Sequence, residues 1–206
     1  MQRLRFTSEP SFNFAAGQYV IARHGDGTEI PLSIASAPGA LPTFELHYRS
    51  TPGDPLARAF DELLTQQSIE FSGPHGNVRC PEKGPLLLIV GGTGSSTAFC
   101  LATHRADKNC TEPTHILWCA DSQEDLYDVE ALNTLIHTSV DTVVDDRRGD
   151  DNRGLSWLRR HADPSATTDV VLSGSPGFVY AATDVLLALG FSQDNLQSDV
   201  YDYAPR

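Results

Sequence analysis

Apolar and polar positions alternate in short runs over the first third of the chain and lengthen into apolar blocks afterwards. The runs "YVIA" (19–22), "PLSIAS" (31–36), "TFELHY" (43–48) and "SIEFSG" (68–73) have the two-residue period of half-buried strands. Turn-rich pieces, "HGDGTE" and "APGALP", separate them, a texture that predicts a small antiparallel barrel. One stretch of helical period, "DPLARAFDELL", interrupts the series, with Asp54 placed to cap it and Pro55 at its first turn.

After "RCPEKGP" (79–85) the pattern becomes strand, loop, helix, repeated. "LLLIV" precedes a helix from about 95 to 105, "THILWCA" a helix over 128–137, "VDTVVDD" the "SWLRRHA" helix, and "DVVLSG" a helix over 177–189. "QSDVYDY" reads as a closing strand. Apolar strands alternating with amphipathic helices predict a parallel sheet covered on both faces. The chain thus divides into an all-β part, 1–80, and an α/β part, 81–206.

The 206 residues carry a net charge of −12, which argues against nucleic-acid binding and against coating anionic membranes. No apolar run has signal-peptide or bilayer-spanning length, so a cytoplasmic protein is expected. Cys80, Cys100, Cys110 and Cys119 fit neither a zinc nor a ferredoxin spacing, and they read as buried hydrophobes. No metal site is expected.

The chemistry concentrates in "PLLLIVGGTGSSTAF" (85–99), a buried-looking strand that ends in glycines and hydroxyls. A helix entered through such a loop leaves its first amides unpartnered, and its dipole, about +0.5 charge, favours an anion. Gly91, Gly92 and Gly94 permit close approach, and Thr93, Ser95 and Ser96 supply hydroxyls. The loop matches neither G-x-G-x-x-G nor a Walker sequence, and glycines that serve packing alone remain an alternative. A second loop, "LSGSPGFVYAA" (172–182), repeats the design after another strand. Two such loops on one sheet edge suit a dinucleotide better than a lone phosphate.

The order "AGQYV", "PLSIAS", "GPHG", "LLLIVGGTGSS", "DLYDVEAL", "SGSPGFVYAA…ALGF" resembles the ferredoxin–NADP reductase superfamily, in particular its small NAD(P)H:flavin oxidoreductases. The resemblance runs over nearly the whole chain. It implies a flavin-binding barrel, a nicotinamide-binding α/β domain, and hydride transfer between nicotinamide C4 and flavin N5. Carried over by position, Ser33 would hydrogen-bond flavin N5 beside Pro31 and Leu32, and Thr93 would stand where the rings meet. Gly91, Gly92, Gly94 and Ser95 would hold the pyrophosphate, and Gly174, Ser175 and Pro176 the nicotinamide end. Asp199 would be the carboxylate near the flavin and Tyr201 the C-terminal aromatic.

Several positions depart from the family. Ile30 and Leu32 stand where relatives carry an arginine and a stacking aromatic, so FAD, FMN or riboflavin should be held weakly; Arg23 and Arg49 are candidate replacements for the charge. Asp121 replaces a phosphate-reading arginine and favours NADH over NADPH, unless it is a simple cap. Ser173 stands where many relatives have a cysteine. "RLRF" resembles the family's second barrel strand, so the first strand is expected to be missing, with the open edge completed by a partner or a second copy or simply left incomplete. An NAD(P)H-dependent flavin reductase, serving an oxygenase or other acceptor, is the leading expectation. The alternative is a degenerate module that binds a nucleotide or protein partner without hydride transfer.

Overall fold

The structure, a computed structural model, describes residues 1–147, 152–167 and 169–206. The all-β part holds five strands, β1 (Gln2–Thr7), β2 (Tyr19–Arg23), β3 (Glu29–Ser33), β4 (Thr43–Tyr48) and β5 (Phe71–His75). β1 pairs antiparallel with β4, β2 sits between β3 and β5, and an isolated bridge between Ile34 and Leu46 links the two sheets. The two-residue alternation sends Val20, Ala22, Ile30, Phe44 and Leu46 inward.

Gln18 of "AGQYV" ties three segments together. Its backbone carbonyl accepts from Ile34 N, its side-chain oxygen accepts from Ala15 N at 2.8 Å, and its amide donates to Gly76 O at 3.2 Å. The "SIAS" and "GPHG" segments are thereby held at one end of the barrel. Helix α1 (Pro55–Leu63) starts on Asp54, whose carboxylate accepts from Leu56 N at 2.9 Å, and packs Phe60 and Leu63 against Ala22, Ile30 and Tyr48. Ile30 therefore fills the core under α1 instead of facing a ligand. Among the described residues β1 pairs with β4 alone, which leaves its other edge open.

The α/β part follows as β6 (Leu86–Gly91), α2 (Ser95–Asp107), β7 (Thr114–Ala120), α3 (Val129–Asn133), β8 (Thr138–Val144), α4 (Arg153–His161), β9 (Asp169–Ser173), α5 (Pro176–Ala188), β10 (Leu196–Gln197) and α6 (Val200–Tyr203). All five strands are parallel, in the order β10-β9-β6-β7-β8. Strand order reverses between β6 and β9, the topological switch point where open α/β sheets bind ligands. Two expectations need correction. The helix expected over 128–137 is only Val129–Asn133, because His137 turns left-handed at φ 57° and feeds the chain straight into β8. The closing strand expected over 197–203 is two residues of strand and a helical turn.

The two parts share one core. Phe14, Val20, Ile34 and Leu46 of the barrel lie in the same buried cluster as Leu88, Val90, Leu101 and Trp118 of the α/β part. Arg105, almost fully buried, donates to the carbonyls of Pro81, Gly84 and Glu112 and to Thr114, so α2 grips the connecting segment. The four cysteines are free thiols, and burial pushes Cys80, Cys100 and Cys119 up to about 12, which keeps them protonated and unreactive. Among the described residues no helix is long and apolar enough to cross a membrane, and no group of His, Cys, Asp or Glu is placed to hold a metal.

Candidate active site

A cleft of about 490 Å³ opens between the barrel and the switch point of the sheet, within the size range of small-molecule sites. Its α/β wall is formed by the two glycine loops. A Cβ on Gly94 would lie 2.4 Å from the Ser173 carbonyl oxygen and 2.8 Å from Gly174 N, so glycine is required for the loops to meet backbone to backbone. Thr97 Oγ1 and Ser173 Oγ, 3.1 Å apart, bond across the junction. Gly91 and Gly174 each lie against the Phe178 ring, where a Cβ would come within 3.0 Å, so part of the glycine content does serve packing.

Helix α2, like the short α3 and α6, starts without a side-chain cap. Asp54, Asn152 and Ser175 cap α1, α4 and α5 with side-chain oxygens, whereas no side chain caps α2. Residues 92–94 form a tight turn into α2 that takes the Ser95 amide, and Thr93, Gly94, Ser96 and Thr97 line the cleft, with open space around the position a Gly92 Cβ would take.

The barrel wall carries Pro31, Leu32 and Ser33 from β3 and Tyr19 and Ile21 from β2, with Val78 below. Asp199 and Tyr203 close the third side. Asn77 N and Val78 N donate to the Asp199 carboxylate; burial, the larger influence, raises its pKa above the ordinary aspartate value. Gly76 must be glycine here: φ is +94°, and a Cβ would sit 2.7 Å from Asp199 Oδ1.

No family model matches the chain. The chain is 28% identical to the ferredoxin–NAD(P)(+) reductase component of the naphthalene 1,2-dioxygenase system of Pseudomonas putida, over 98% of this chain and 64% of that protein. It is 26% identical to a probable flavin reductase of Photobacterium leiognathi, over 93% of this chain and 88% of the relative. Its fold superposes on the Amycolatopsis cytochrome P450 reductase GcoB with a TM-score of 0.79, at 23% identity, over 96% of this chain and 64% of the other. The chain is a homologue of the ferredoxin and flavin reductases. It spans somewhat less than two thirds of the length of the dioxygenase-system reductases that it matches.

On this reductase fold the expected site residues fall into two groups. Pro31, Leu32, Ser33, Thr93, Gly94, Gly174 and Asp199 line one cleft, although they are spread over most of the sequence. The others do not line it. Ser95 is fully buried and bonded to Tyr127. Ser175 and Pro176 start α5, with Ser175 Oγ accepting from Phe178 N. Gly91 and Gly92 lie at the base of the loop, and Asp121 sits exposed just past the end of β7. Tyr201 points the other way, its hydroxyl 2.7 Å from Thr183 Oγ1 and its ring beside Tyr180. The cleft's C-terminal aromatic is Tyr203.

The arginine candidates also separate. Arg23 pairs with Glu29 at 2.6 Å on the barrel surface. Arg49 lines the cleft but pairs with Asp125 at 2.6 Å. The last residues pack on α5, with Arg206 paired to Asp184 and stacked on Tyr180.

A buried polar seam was not visible in the sequence. His47, only 4% exposed, forms part of the cleft's back wall. Its Nε2 lies 2.8 Å from Glu45 Oε1 and its Nδ1 2.6 Å from Tyr127 Oη, which in turn lies 2.9 Å from Ser95 Oγ. Burial raises the Glu45 pKa, but hydrogen bonds from Arg3, His47 and Arg5 outweigh it and hold the carboxyl at about 2. Burial lowers the His47 pKa and raises that of Tyr127 well above the ordinary tyrosine value, so both are neutral at pH 7. The signal lay in "FELHYR", where polar 45, 47 and 49 alternate with apolar 44, 46 and 48; that polar face meets the other half of the molecule instead of water.

Proposed function

We propose that this chain is a reductase that passes a hydride from NAD(P)H to a flavin, with residues 1–80 holding the flavin and 81–206 the nicotinamide coenzyme. The observation that carries this reading is the placement of an uncapped helix start and two meeting glycine loops directly across a cleft from Ser33. Nicotinamide and flavin bound there would supply the redox chemistry, hydride leaving C4 of the reduced coenzyme for N5 of the flavin, with a proton taken from water.

The chain's own residues then have separate tasks. The backbone of Thr93 and Gly94, with Ser96 and Thr97 at the start of α2, would hold the pyrophosphate. Ser33 holds flavin N5 by a hydrogen bond, and Tyr19, Leu32 and Tyr203 cover the ring and exclude water. Thr93 orients the nicotinamide where the rings meet, Gly174 leaves room for it, and Asp199 faces the flavin from the third side. The shared core fixes these walls at one separation, which stacked hydride transfer requires.

The flavin is loosely held. Ile30 is turned into the barrel core and Arg49 is committed to Asp125, while Glu29 and Asp199 add carboxylates to the lining. NADH is preferred, since the segment after β7 offers Asp121, Glu124 and Asp125 in place of a cation for a 2′-phosphate. The acceptor of the electrons is free flavin or an oxygenase component, in line with the relatives' names.

The test is oxidation of NADH and of NADPH in the presence of riboflavin, FMN or FAD, followed at the absorbance of reduced nicotinamide. Oxidation above the flavin-only blank, faster with NADH, is expected. Ser33→Ala should slow it about a hundredfold and leave coenzyme binding intact. No oxidation with any flavin would remove the catalytic reading.

A further inference from the structure

The two proposed reaction residues, Ser33 on the barrel and Thr93 on the glycine loop, belong to different halves, yet a short path of bonds joins them. One residue after Ser33, Ile34 bridges to Leu46, Ala35 N donates to Glu45 O at 2.7 Å, and Glu45 N donates to Ser36 Oγ at 2.9 Å. The Ser33 segment is therefore fixed to β4. From β4, His47 reaches Tyr127, and Tyr127 reaches Ser95, which is the first residue of α2 and two beyond Thr93.

The donors in this path are determined by elimination. Ionised Glu45 only accepts, so His47 Nε2 carries the proton; neutral His47 then has a bare Nδ1, which accepts from Tyr127 Oη–H. With its proton spent, Tyr127 accepts from Ser95 Oγ–H. Every member has a fixed role, with Glu45, His47 and Ser95 buried and Tyr127 half-buried, so the path has one geometry. Two ion pairs flank it, Arg49 with Asp125 and Arg3 with Asp128, the latter at 2.6 Å. Residues 125, 127 and 128 of one loop thus grip the barrel, but Tyr127 alone of the three continues into α2.

We infer that His47 and Tyr127 are positioning residues, whose buried bridge from β4 to Ser95 sets the separation between the Ser33 wall and the Thr93 loop for hydride transfer. This rests on the reductase reading above. The bridge acts by holding the two walls in register, where misplacement by about 1 Å costs up to a hundredfold in rate.

Tyr127→Phe tests it, because the ring that packs on Phe99 and Trp118 stays while both bonds go. With NADH and riboflavin, kcat should fall about tenfold with KM changed less than about twofold. The isotope effect on kcat with NADH deuterated at the transferred position should rise, which a smaller folded fraction would not produce. Asp128→Asn cuts the neighbouring ion pair, leaves the bridge whole, and should stay within about twofold of the parent.

A second readout needs no activity. In the ligand-free protein, Tyr127→Phe should speed amide hydrogen exchange at residues 33–36 and 93–97, and nitrogen NMR should find the parent His47 as the Nε2–H tautomer. Unchanged kcat and isotope effect in Tyr127→Phe, or an equal loss in Asp128→Asn, would overturn the inference while the parent still turns over. If the parent oxidises no NADH the reductase reading fails, and the exchange and tautomer measurements decide the bridge without it. Unaltered exchange at both segments, or the other tautomer, would sink it.

Discussion

The wall of the cleft formed by β6, β9 and α2 is largely backbone, whereas the facing wall on β2 and β3 is made of side chains. On the first, Gly94 and Gly174 let two loops touch, and no side chain caps the start of α2. On the second, Tyr19, Leu32 and Ser33 project from strands, and the cation expected beside them is an isoleucine in the core. Backbone groups cannot be lost by a substitution elsewhere, so that wall is held by fold geometry. A side-chain wall changes residue by residue. The cleft therefore pairs a firm backbone wall with a permissive side-chain wall, which suits the loosely held flavin of the proposed function.

The strongest challenge to this contrast is Gly94→Val. Its Cβ would meet the Ser173 carbonyl at 2.4 Å, and neither backbone can yield. A loss of about 3 kcal/mol of stability by denaturant titration, with no rise in melting temperature on adding NADH, is expected; a variant that still binds NADH would show that the loops need not touch. The platform should respond more gently. Tyr203→Ala should weaken riboflavin binding by about 1 kcal/mol in a fluorescence titration and leave NADH affinity unchanged. An equal loss for both ligands would mean that the walls are not independent.

The smallest effect concerns the seam between the walls. Glu45 has a depressed pKa, so its contribution is complete above the ordinary glutamate value and is lost as pH falls through about 2. Over that window the parent should lose about 1 kcal/mol more stability than Glu45→Gln, measured by urea unfolding at neutral and acid pH. Parallel pH dependences would show that the arginines do not hold Glu45 ionised.

The parallel sheet was legible because buried strands such as Leu86–Gly91 leave unbroken apolar runs, and the glycine loops because close backbone approach admits no other residue. Helix α1 was legible in Asp54 and Pro55. What escaped depended on direction. Read as a strand, 197–203 would put Tyr201 and Tyr203 on one face; as a helical turn it rotates them about 200° apart, sending Tyr201 to Thr183 and Tyr203 to the cleft. His47 escaped because alternation tells which face of β4 is polar, but not whether water or another part of the chain covers it. Ser95 reads as a ligand hydroxyl from its place in the loop, and only the position of Tyr127 reveals its buried partner.

The core shared by barrel and sheet has a consequence for divisibility. Phe14, Val20 and Leu46 share their cluster with Leu101 and Trp118 of the α/β part. A cut between residues 80 and 81 would part that cluster and leave two sticky fragments in place of two working modules. Though the texture of the chain changes midway, its two halves are expected to unfold together.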